Sequence, residues 1–292
     1  MQSLSRCFAV SFVLASLGFV AAAQPAMPTF NILKRISMVQ SQYGRASIFS
    51  IDVDQREYWI TAKHVINGRL HPPYGAVADK SVTLKILNQD GEGEQWLTES
   101  FSVIDPGDDI DIVALAPAKP ILSNPLPSLA TGSDGLFLGG DCEFLGFPYG
   151  GGWRIGIGPQ SFWMPYIKHC TVSASSPLSS NSPDPKRVWV LDGINNEGFS
   201  GGPVIFGTGL QQKIFAVVSG YYTEPAEVVP FEAAGLIPEK KHHDEPSSQP
   251  GDDKAHGREK VNVNSGFIVA FDIGYAVDAI KKNPIGPLRN AK

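Results

Sequence analysis

Short apolar runs separated by turn residues are the feature that most constrains the fold of this chain. Residues 46–51 and 57–61 flank a short polar turn, and residues 82–87 and 95–103 flank a second turn rich in Asn, Asp and Gly. Each pair has the pattern of a β-hairpin, because runs of this length fit strands and the residues between them reverse the chain. The 30 glycines and 23 prolines likewise favour short strands over long helices.

Runs of the same kind continue almost to the C-terminus. A strand is predicted over 110–115, a connection between two halves over 117–135, and a helix over 272–281, where apolar residues recur with helical spacing. The other predicted strands are 142–147, 161–172, 187–191, 204–206, 214–219 and 267–271. Many short strands with one closing helix predict an all-β barrel or sandwich, and the hydrophobic pattern does not choose between these two.

The N-terminus has the three parts of a secretory signal peptide. Arg6 precedes an almost wholly apolar run over 8–20, and the alanines at 21–23 are the small residues that a signal peptidase needs. The run is shorter than the roughly 20 residues of a membrane-spanning helix. We therefore predict a signal peptide over 1–23, a mature chain over 24–292 with no stable membrane anchor, and a secreted or periplasmic location. A buried helix or an uncleaved anchor is the alternative.

Residues 224–262 differ from the rest of the chain in composition. They contain a long polar stretch of mixed charge that is rich in turn residues. Such a composition predicts a partly disordered insertion at the surface. A tether, a cleavage site, or a weak metal-binding loop through His242, His243 and His256 are alternatives to the plain solvated loop that this pattern favours.

Charge and cysteine content limit the partners and the compartment. The formal net charge of -5 provides no basic surface for nucleic acid. Cys7 falls within the signal peptide, which leaves Cys142 and Cys170. Two cysteines in an exported chain form a disulfide more often than a metal site or a reactive thiol. We expect that disulfide, and we expect no metal and no cofactor.

A glycine-rich segment around Ser200 is the clearest chemical signal. Residues 198–203 read Gly-Phe-Ser-Gly-Gly-Pro. Gly198 permits a positive φ that aims its N–H inward beside that of Ser200, and the following glycines leave the hydroxyl uncovered. A nucleophile elbow of the α/β-hydrolase type would need a helix after the serine. Residues 204–206 indicate a strand instead, so that reading fails.

Two other segments supply a base and an acid. His64 follows an apolar strand that ends in Thr-Ala, and none of the other five histidines has such a setting. Asp111 enters the apolar run 112–115, where a carboxylate is costly unless it is paired and hydrogen-bonded. Asp108 and Asp109 fit solvated turn positions better. A serine, a neutral imidazole, a carboxylate and inward N–H groups are what serine-dependent amide hydrolysis needs.

Together these segments resemble the motifs of trypsin-like (chymotrypsin-fold) serine peptidases. Residues 61–64 resemble the T-A-x-H motif, 111–115 the D-I-A-L-L type of motif, and 198–203 the G-x-S-G-G-P motif. Each motif is modest alone, whereas all three in this order are specific. The resemblance covers about 30–282 apart from the insertion, and it is closest to bacterial members and the HtrA-type catalytic domain. No PDZ-like segment follows, so a peptidase domain without PDZ is expected.

The resemblance implies an all-β fold of two antiparallel six-stranded β-barrels with a C-terminal helix and the site between the barrels. The first barrel would lie within about 30–120 and the second within about 135–283. His64 would be the base, Asp111 its orienting carboxylate and Ser200 the nucleophile. The N–H groups of Gly198 and Ser200 would form the oxyanion hole.

It also implies a substrate-binding region. Gly220 and Tyr221 would belong to the strand that pairs with the substrate backbone, and the neighbouring Ser219 would help to hold Asp111. The pocket position that carries the acid in trypsin is Ile194, which predicts a preference for an apolar side chain at P1, the residue before the cleaved bond. Gly266, together with Asn195 and Asn196, would shape that pocket.

One departure concerns activation. Digestive members have an aspartate before the serine that receives the new N-terminus after cleavage, whereas this chain has Phe199. Zymogen control of that kind is therefore not expected. The predicted function is a secreted serine endopeptidase that cleaves proteins or peptides through an acyl-enzyme. The alternatives are a non-catalytic binding module on a protease fold, and an esterase or acyl transferase that uses the same triad.

Overall fold

The structure is a computed structural model that describes residues 27–89, 94–122, 126–156, 161–177, 186–227 and 260–289. The predicted signal peptide over 1–23 and the central part of the predicted insertion lie outside these residues. In the described part of the chain, no helix is both long enough and apolar enough to cross a membrane.

The first half of the chain forms a closed six-stranded barrel. Its strands follow the order β1-β2-β3-β6-β5-β4 around the barrel, and every neighbouring pair is antiparallel. The two hairpins predicted from the turn clusters are β2–β3 and β4–β5. The strands are β1 (Ile36–Ser41), β2 (Gly44–Val53), β3 (Arg56–Thr61), β4 (Ser81–Leu87), β5 (Trp96–Ile104) and β6 (Val113–Pro117).

The second half forms another antiparallel ring of six strands. Strands β13, β8, β11, β12, β15 and β14 pair in that order, and an additional pairing of β13 with β14 closes the ring. The short strand β7 pairs in parallel with β14, while β9 and β10 form a separate hairpin. The strands are β7 (Ala130–Thr131), β8 (Asp141–Gly146), β9 (Trp153–Ile155), β10 (Phe162–Met164), β11 (Tyr166–Pro177), β12 (Arg187–Asp192), β13 (Pro203–Phe206), β14 (Lys213–Glu227) and β15 (Lys260–Asp272).

Three α-helices accompany the strands in the described structure. They are α1 (Phe30–Lys34), α2 (His64–Asn67) and α3 (Gly274–Lys282), of which α3 is the helix predicted over 272–281. Two antiparallel six-stranded barrels followed by a C-terminal helix confirm the predicted fold class.

Alternation along the strands divides the core into three layers. Ile48 and Trp59 pack with other residues of the first barrel only, whereas their strand neighbours Phe49 and Ile60 pack in a cluster that also contains Phe147 of the second half. A third cluster lies within the second barrel. Because successive side chains of a strand point to opposite faces, each strand can fill its own barrel and the space between the barrels. The two barrels are therefore held together by a continuous apolar layer.

Several predicted boundaries differ from the structure, and three of the differences have a clear physical basis. The strand expected over 110–115 begins at Val113, because Asp111 is occupied by hydrogen bonds to other parts of the chain. The strand expected over 161–172 is two strands that are separated at Pro165, where a proline has no N–H for a ladder. Both ends of the predicted insertion are paired strands, since β14 and β15 pair as far as Glu227 and Lys260.

Candidate active site

The register of the first barrel brings His64 and Asp111 together. Strands β3 and β6 are antiparallel, with Thr61 opposite Val113. His64 lies just beyond the end of β3 and Asp111 just before the start of β6, so both lie at the same edge of the sheet. His64 Nδ1 is 2.7 Å from Asp111 Oδ2, and the backbone N–H of His64 donates to Asp111 Oδ1 at 2.9 Å. The carboxylate thus fixes both the ring and the backbone of the histidine.

Asp111 is fully buried, yet its two oxygens accept three hydrogen bonds. The third comes from the hydroxyl of Ser219 on β14, which donates to Oδ2 at 2.5 Å. A buried carboxylate is tolerated when such donors replace water. Ser219 therefore joins the second barrel to the acid of the first, as the sequence resemblance implies.

Tyr74 is a neighbour of this group that sequence reasoning missed. Its side chain is buried, and this burial, together with the nearby charge of Asp111, raises the pKa of Tyr74 to about 12. The phenol therefore stays neutral at any physiological pH and adds no second negative charge beside the carboxylate. Nothing in the local sequence, a turn that contains Pro72 and Pro73, distinguishes this tyrosine from a loop residue.

Ser200 faces the same cavity as His64 but points its hydroxyl elsewhere. Its Oγ donates to the backbone carbonyl of Ser219 at 3.3 Å. Among the described residues, no hydrogen bond joins Ser200 Oγ to His64. Staggered side-chain conformers are separated by about 120°, so a change of rotamer moves the hydroxyl without moving the backbone. The imidazole and the hydroxyl line one cavity of about 600 Å³.

Two backbone hydrogen bonds fix the orientation of the N–H groups of Gly198 and Ser200. In a trans peptide the C=O and N–H bonds point in opposite directions. The carbonyl of Glu197 accepts from the N–H of Tyr149 at 2.8 Å, so the N–H of Gly198 in the same peptide unit points away from Tyr149. The carbonyl of Phe199 accepts from the N–H of Gly202 at 2.8 Å, which orients the N–H of Ser200 in the same manner.

Gly198 and Ser200 both line the cavity, and within the described ranges neither N–H has a protein acceptor. Gly198 has a φ of 98°, a conformation that a side chain disfavours. A Cβ at this position would also collide with the backbone carbonyl of Phe147 and lie 2.8 Å from the backbone nitrogen of Tyr149. The glycine is therefore required both by its φ and by the close approach of the neighbouring chain.

Ser47 connects this segment to the first barrel, and sequence reasoning also missed it. Its hydroxyl donates to the carbonyl of Gly198 at 2.7 Å and accepts from the N–H of Phe147 at 2.9 Å. Its backbone N–H donates to the carbonyl of Ser200 at 2.9 Å, and its carbonyl accepts from the hydroxyl of Thr61 at 2.8 Å. Ser47 is fully buried. One residue of β2 thus holds the segment on both sides of Phe199.

The predicted substrate-binding residues divide into two groups. Ser219, Gly220 and Tyr221 line the cavity beside Ser200. Ile194 and Gly266 are not among its lining residues, and the Ile194 side chain is 62% exposed. Asn195, Asn196 and Thr223 line the cavity instead. The sequence predicted an apolar pocket floor at Ile194, whereas these three lining residues are polar.

Asn195 shows why Ile194 lies outside. The Asn195 side chain is 2% exposed, and its Oδ1 accepts from the N–H of Asn196 at 2.8 Å. Its backbone carbonyl accepts from Asn264 Nδ2 at 2.7 Å. With the asparagine turned inward, the side chain of the preceding Ile194 is directed toward solvent.

The disulfide predicted for Cys142 and Cys170 is present in the second barrel. The two cysteines are directly opposite each other on β8 and β11, with their Cα atoms 5.0 Å apart, and both are buried. Within the described residues, no cluster of His, Cys, Asp and Glu side chains could hold a metal ion. His242, His243 and His256 lie outside those residues.

The two antiparallel barrels define the chymotrypsin-type fold. His64 of the first half and Ser200 of the second half line one cavity, and the buried Asp111 is bonded to His64. No family model matches the chain, and no curated protein matches it. Among solved structures, the active form of the Rv3671c protease from M. tuberculosis is similar, with 15% identity and a TM-score of 0.48 over 86% of this chain and 81% of that one.

Two further solved structures are similar to this chain. The HtrA-type protease AlgW with a tripeptide has 14% identity and a TM-score of 0.48, over 86% of this chain and 60% of that one. The serine endoprotease from Yersinia pestis has 17% identity and a TM-score of 0.41, over 67% of this chain and 59% of that one. Because these identities and TM-scores are low, the fold assignment depends on the strand pairings described above.

Proposed function

We propose that the protein is an exported serine endopeptidase with Ser200 as nucleophile, His64 as general base and Asp111 as the carboxylate that orients the base. The observation that carries the proposal is the arrangement in one cleft of an imidazole held by a buried carboxylate, a serine, and two N–H groups without protein acceptors. Each of these groups meets one requirement of amide hydrolysis.

The proposed reaction begins with a rotation of the Ser200 hydroxyl from the carbonyl of Ser219 toward His64 Nε2. Oγ then attacks the substrate carbonyl carbon while its proton passes to Nε2, and the carbonyl oxygen becomes an oxyanion. The N–H groups of Gly198 and Ser200 donate to that oxyanion. Hydrogen bonds aimed at charge that develops during the reaction are worth more than those already made to the substrate.

The imidazolium next protonates the leaving amine, so that the C–N bond breaks and an ester to Ser200 remains. A water molecule then attacks the ester carbon and gives a proton to His64. The C–O bond to Ser200 breaks as His64 returns that proton to Oγ, and the carboxylic acid and the free serine are released. Asp111 accepts from the Nδ1–H of His64 throughout, which keeps Nε2 available for each transfer. No metal or cofactor takes part in these steps.

Covalent labelling tests the proposal. A biotinylated diphenyl phosphonate with a peptide recognition arm is expected to label the wild-type protein at Ser200, and the Ser200→Ala variant is expected to remain unlabelled and to lose peptidase activity. Ser41→Ala removes another hydroxyl that lines the same cavity and serves as a control that is still labelled. A wild-type protein that takes up no label and cleaves no peptide would contradict the proposal and favour a non-catalytic binding module on this fold.

An esterase or acyl transferase would be labelled as well, so substrates must separate these activities. Matched amide and ester substrates with the same acyl group answer this. An endopeptidase cleaves internal amide bonds of a denatured protein, whereas hydrolysis of esters alone would support the esterase.

We also propose the preference for an apolar P1 residue that the sequence predicts. The support from the cavity is that its described lining residues offer no buried carboxylate to a cationic side chain. Glu197 is the carboxylate among the cavity residues, and it is exposed rather than buried at the base of a pocket. A cationic P1 side chain would thus lack a desolvated partner. A peptide library profiled by mass spectrometry tests this, and strict cleavage after Lys or Arg would contradict it.

Export is proposed from the signal-peptide pattern of residues 1–23 and supported by the disulfide, since disulfides persist in oxidising compartments. N-terminal sequencing of the protein from a secreting host should give a mature chain that begins at Gln24. An intact N-terminus in the cytosolic fraction would contradict export.

A further inference from the structure

Lys168 is a half-buried cation that is bonded to the segment leading to Ser200. It lies on β11 opposite Phe144 of β8. Its Nζ donates to the backbone carbonyl of Ile194 and to Asn196 Oδ1, the latter at 2.8 Å. Neither acceptor is a carboxylate, so the bonds of this lysine are directional contacts to a loop rather than an ion pair at the surface.

The same ammonium also contacts the aromatic residue before Ser200. Lys168 Nζ is 5.7 Å from the ring centre of Phe199 and 6.0 Å from that of Phe144, and the two rings pack edge to face with their centres 4.9 Å apart. A cation at this distance from a ring is attracted to its face. Burial lowers the pKa of Lys168 below its ordinary value, in keeping with an ammonium that is drawn into the protein.

These contacts lie at both ends of the turn that contains Gly198 and leads to Ser200. The N–H of Phe199 donates to the carbonyl of Asn196 at 3.3 Å, which closes a turn over 196–199. Lys168 binds Asn196 at the start of this turn and Phe199 at its end, and Gly198 lies between them. Movement of the turn would therefore break contacts of the lysine at two places.

We propose that Lys168 is a positioning residue that holds segment 194–200 in the conformation which directs the N–H groups of Gly198 and Ser200 into the cavity. This inference rests on the proposed function. It also explains why Phe199 can replace the aspartate of digestive members. In those members the cation at this position is a new N-terminus, whereas here it is Lys168 of the second barrel. The segment is then ordered without a new N-terminus.

The test compares the full chain with three variants at Lys168 and one control. Lys168→Met keeps the length of the side chain but removes the donor and the charge. Lys168→Gln keeps a donor without a charge, and Lys168→Arg keeps both. Lys213→Met is the matched control, because Lys213 also donates to a backbone carbonyl, that of Asp134 at 3.0 Å, in the same half of the molecule.

Three experiments are made on each protein: steady-state kinetics with a fluorogenic peptide for kcat and KM, the second-order rate of phosphonate labelling, and amide hydrogen exchange over 194–200. For Lys168→Met we expect labelling and kcat to fall at least tenfold. Exchange over 194–200 should become at least tenfold faster, while exchange in β11 remains as in the wild type. Lys168→Arg should restore most of the labelling rate, and Lys213→Met should match the wild type in all three.

The outcomes separate this inference from the proposed function. A Lys168→Met protein that labels, turns over and exchanges within twofold of the wild type would overturn the lysine's role and leave the peptidase proposal intact. A wild-type protein without activity would overturn the peptidase proposal, and the exchange data would still decide whether Lys168 orders the segment. If Lys168→Met does not fold, the same criteria apply to Lys168→Gln.

Discussion

Ser47→Ala should separate the positioning of the proposed oxyanion hole from the triad itself. The substitution removes one hydroxyl that bonds the carbonyl of Gly198 at 2.7 Å and the N–H of Phe147 at 2.9 Å. Both bonds are buried. An unsatisfied buried polar group costs about 1–3 kcal/mol, so the two groups together predict a loss of about 2–6 kcal/mol in the free energy of unfolding. The backbone bonds of Ser47 remain.

The effect on catalysis follows from the same contact. Loss of one oxyanion-hole donor costs about 10²–10³ in kcat, and Ser47→Ala loosens such a donor without deleting it. We therefore expect kcat to fall about 10- to 100-fold with little change in KM. Steady-state kinetics with a fluorogenic peptide, well below the unfolding temperature, measure the two constants.

Ser50→Ala is the matched control for this experiment. Ser50 is a buried serine on the same strand, β2, and within the described residues its hydroxyl makes a single, long contact of 3.5 Å with Arg35 Nη1. This variant should keep the kcat of the wild type. If Ser47→Ala loses stability but retains kcat within twofold, the reasoning that links Ser47 to the orientation of Gly198 is refuted.

Three further predictions concern other parts of the site and the second barrel. Asp111→Asn should keep the fold but lower kcat by about 10⁴, because an amide stabilises the wrong imidazole tautomer; an activity within tenfold of the wild type would contradict the assigned role. Gly198→Ala should lower the phosphonate labelling rate at least a hundredfold, on the scale of about 10²–10³ for the loss of one oxyanion donor. The reason is that φ is 98° and that a Cβ would collide with neighbouring backbone. Unchanged labelling would show that this N–H is dispensable. The double variant Cys142→Ser/Cys170→Ser should lose about 3–4 kcal/mol of stability relative to the wild type, as expected for a crosslink across a sequence separation of 28. Chemical denaturation of both proteins without reductant measures the loss, and equal midpoints for the two would contradict a stabilising disulfide.

The sequence allowed prediction of the features that depend on local chemistry. Two hairpins of the first barrel, β2–β3 and β4–β5, are marked by their own turn residues, whereas β1 and its hairpin with β2 were not predicted. The three motif residues each follow or precede an apolar run, and the β3–β6 register then determines that His64 and Asp111 meet. The fold class could be predicted because the motifs of a known family occur in order within a chain of short strands.

The supporting residues could not be predicted, because their roles depend on distant pairings. Ser47 bonds Gly198 across 151 positions of sequence. Lys168 lies on β11 and bonds Asn196 in the loop that follows β12. Nothing in the neighbourhood of either residue indicates this. The prediction for Ile194 assumed that this part of the loop has the same conformation as in trypsin. In this chain Asn195 is buried and Ile194 is exposed, so the position equivalent in sequence does not line the cavity.

A crystal structure of the protein with a peptide boronic acid would test the central claim most directly. The account predicts a covalent bond from Ser200 Oγ to a tetrahedral boron, with one boronate oxygen about 2.7–3.1 Å from the backbone nitrogens of both Gly198 and Ser200. His64 Nε2 should contact the adduct while Nδ1 keeps its bond to Asp111. An inhibitor that is bound outside the cleft, or an adduct whose oxygen faces neither N–H group, would contradict the account.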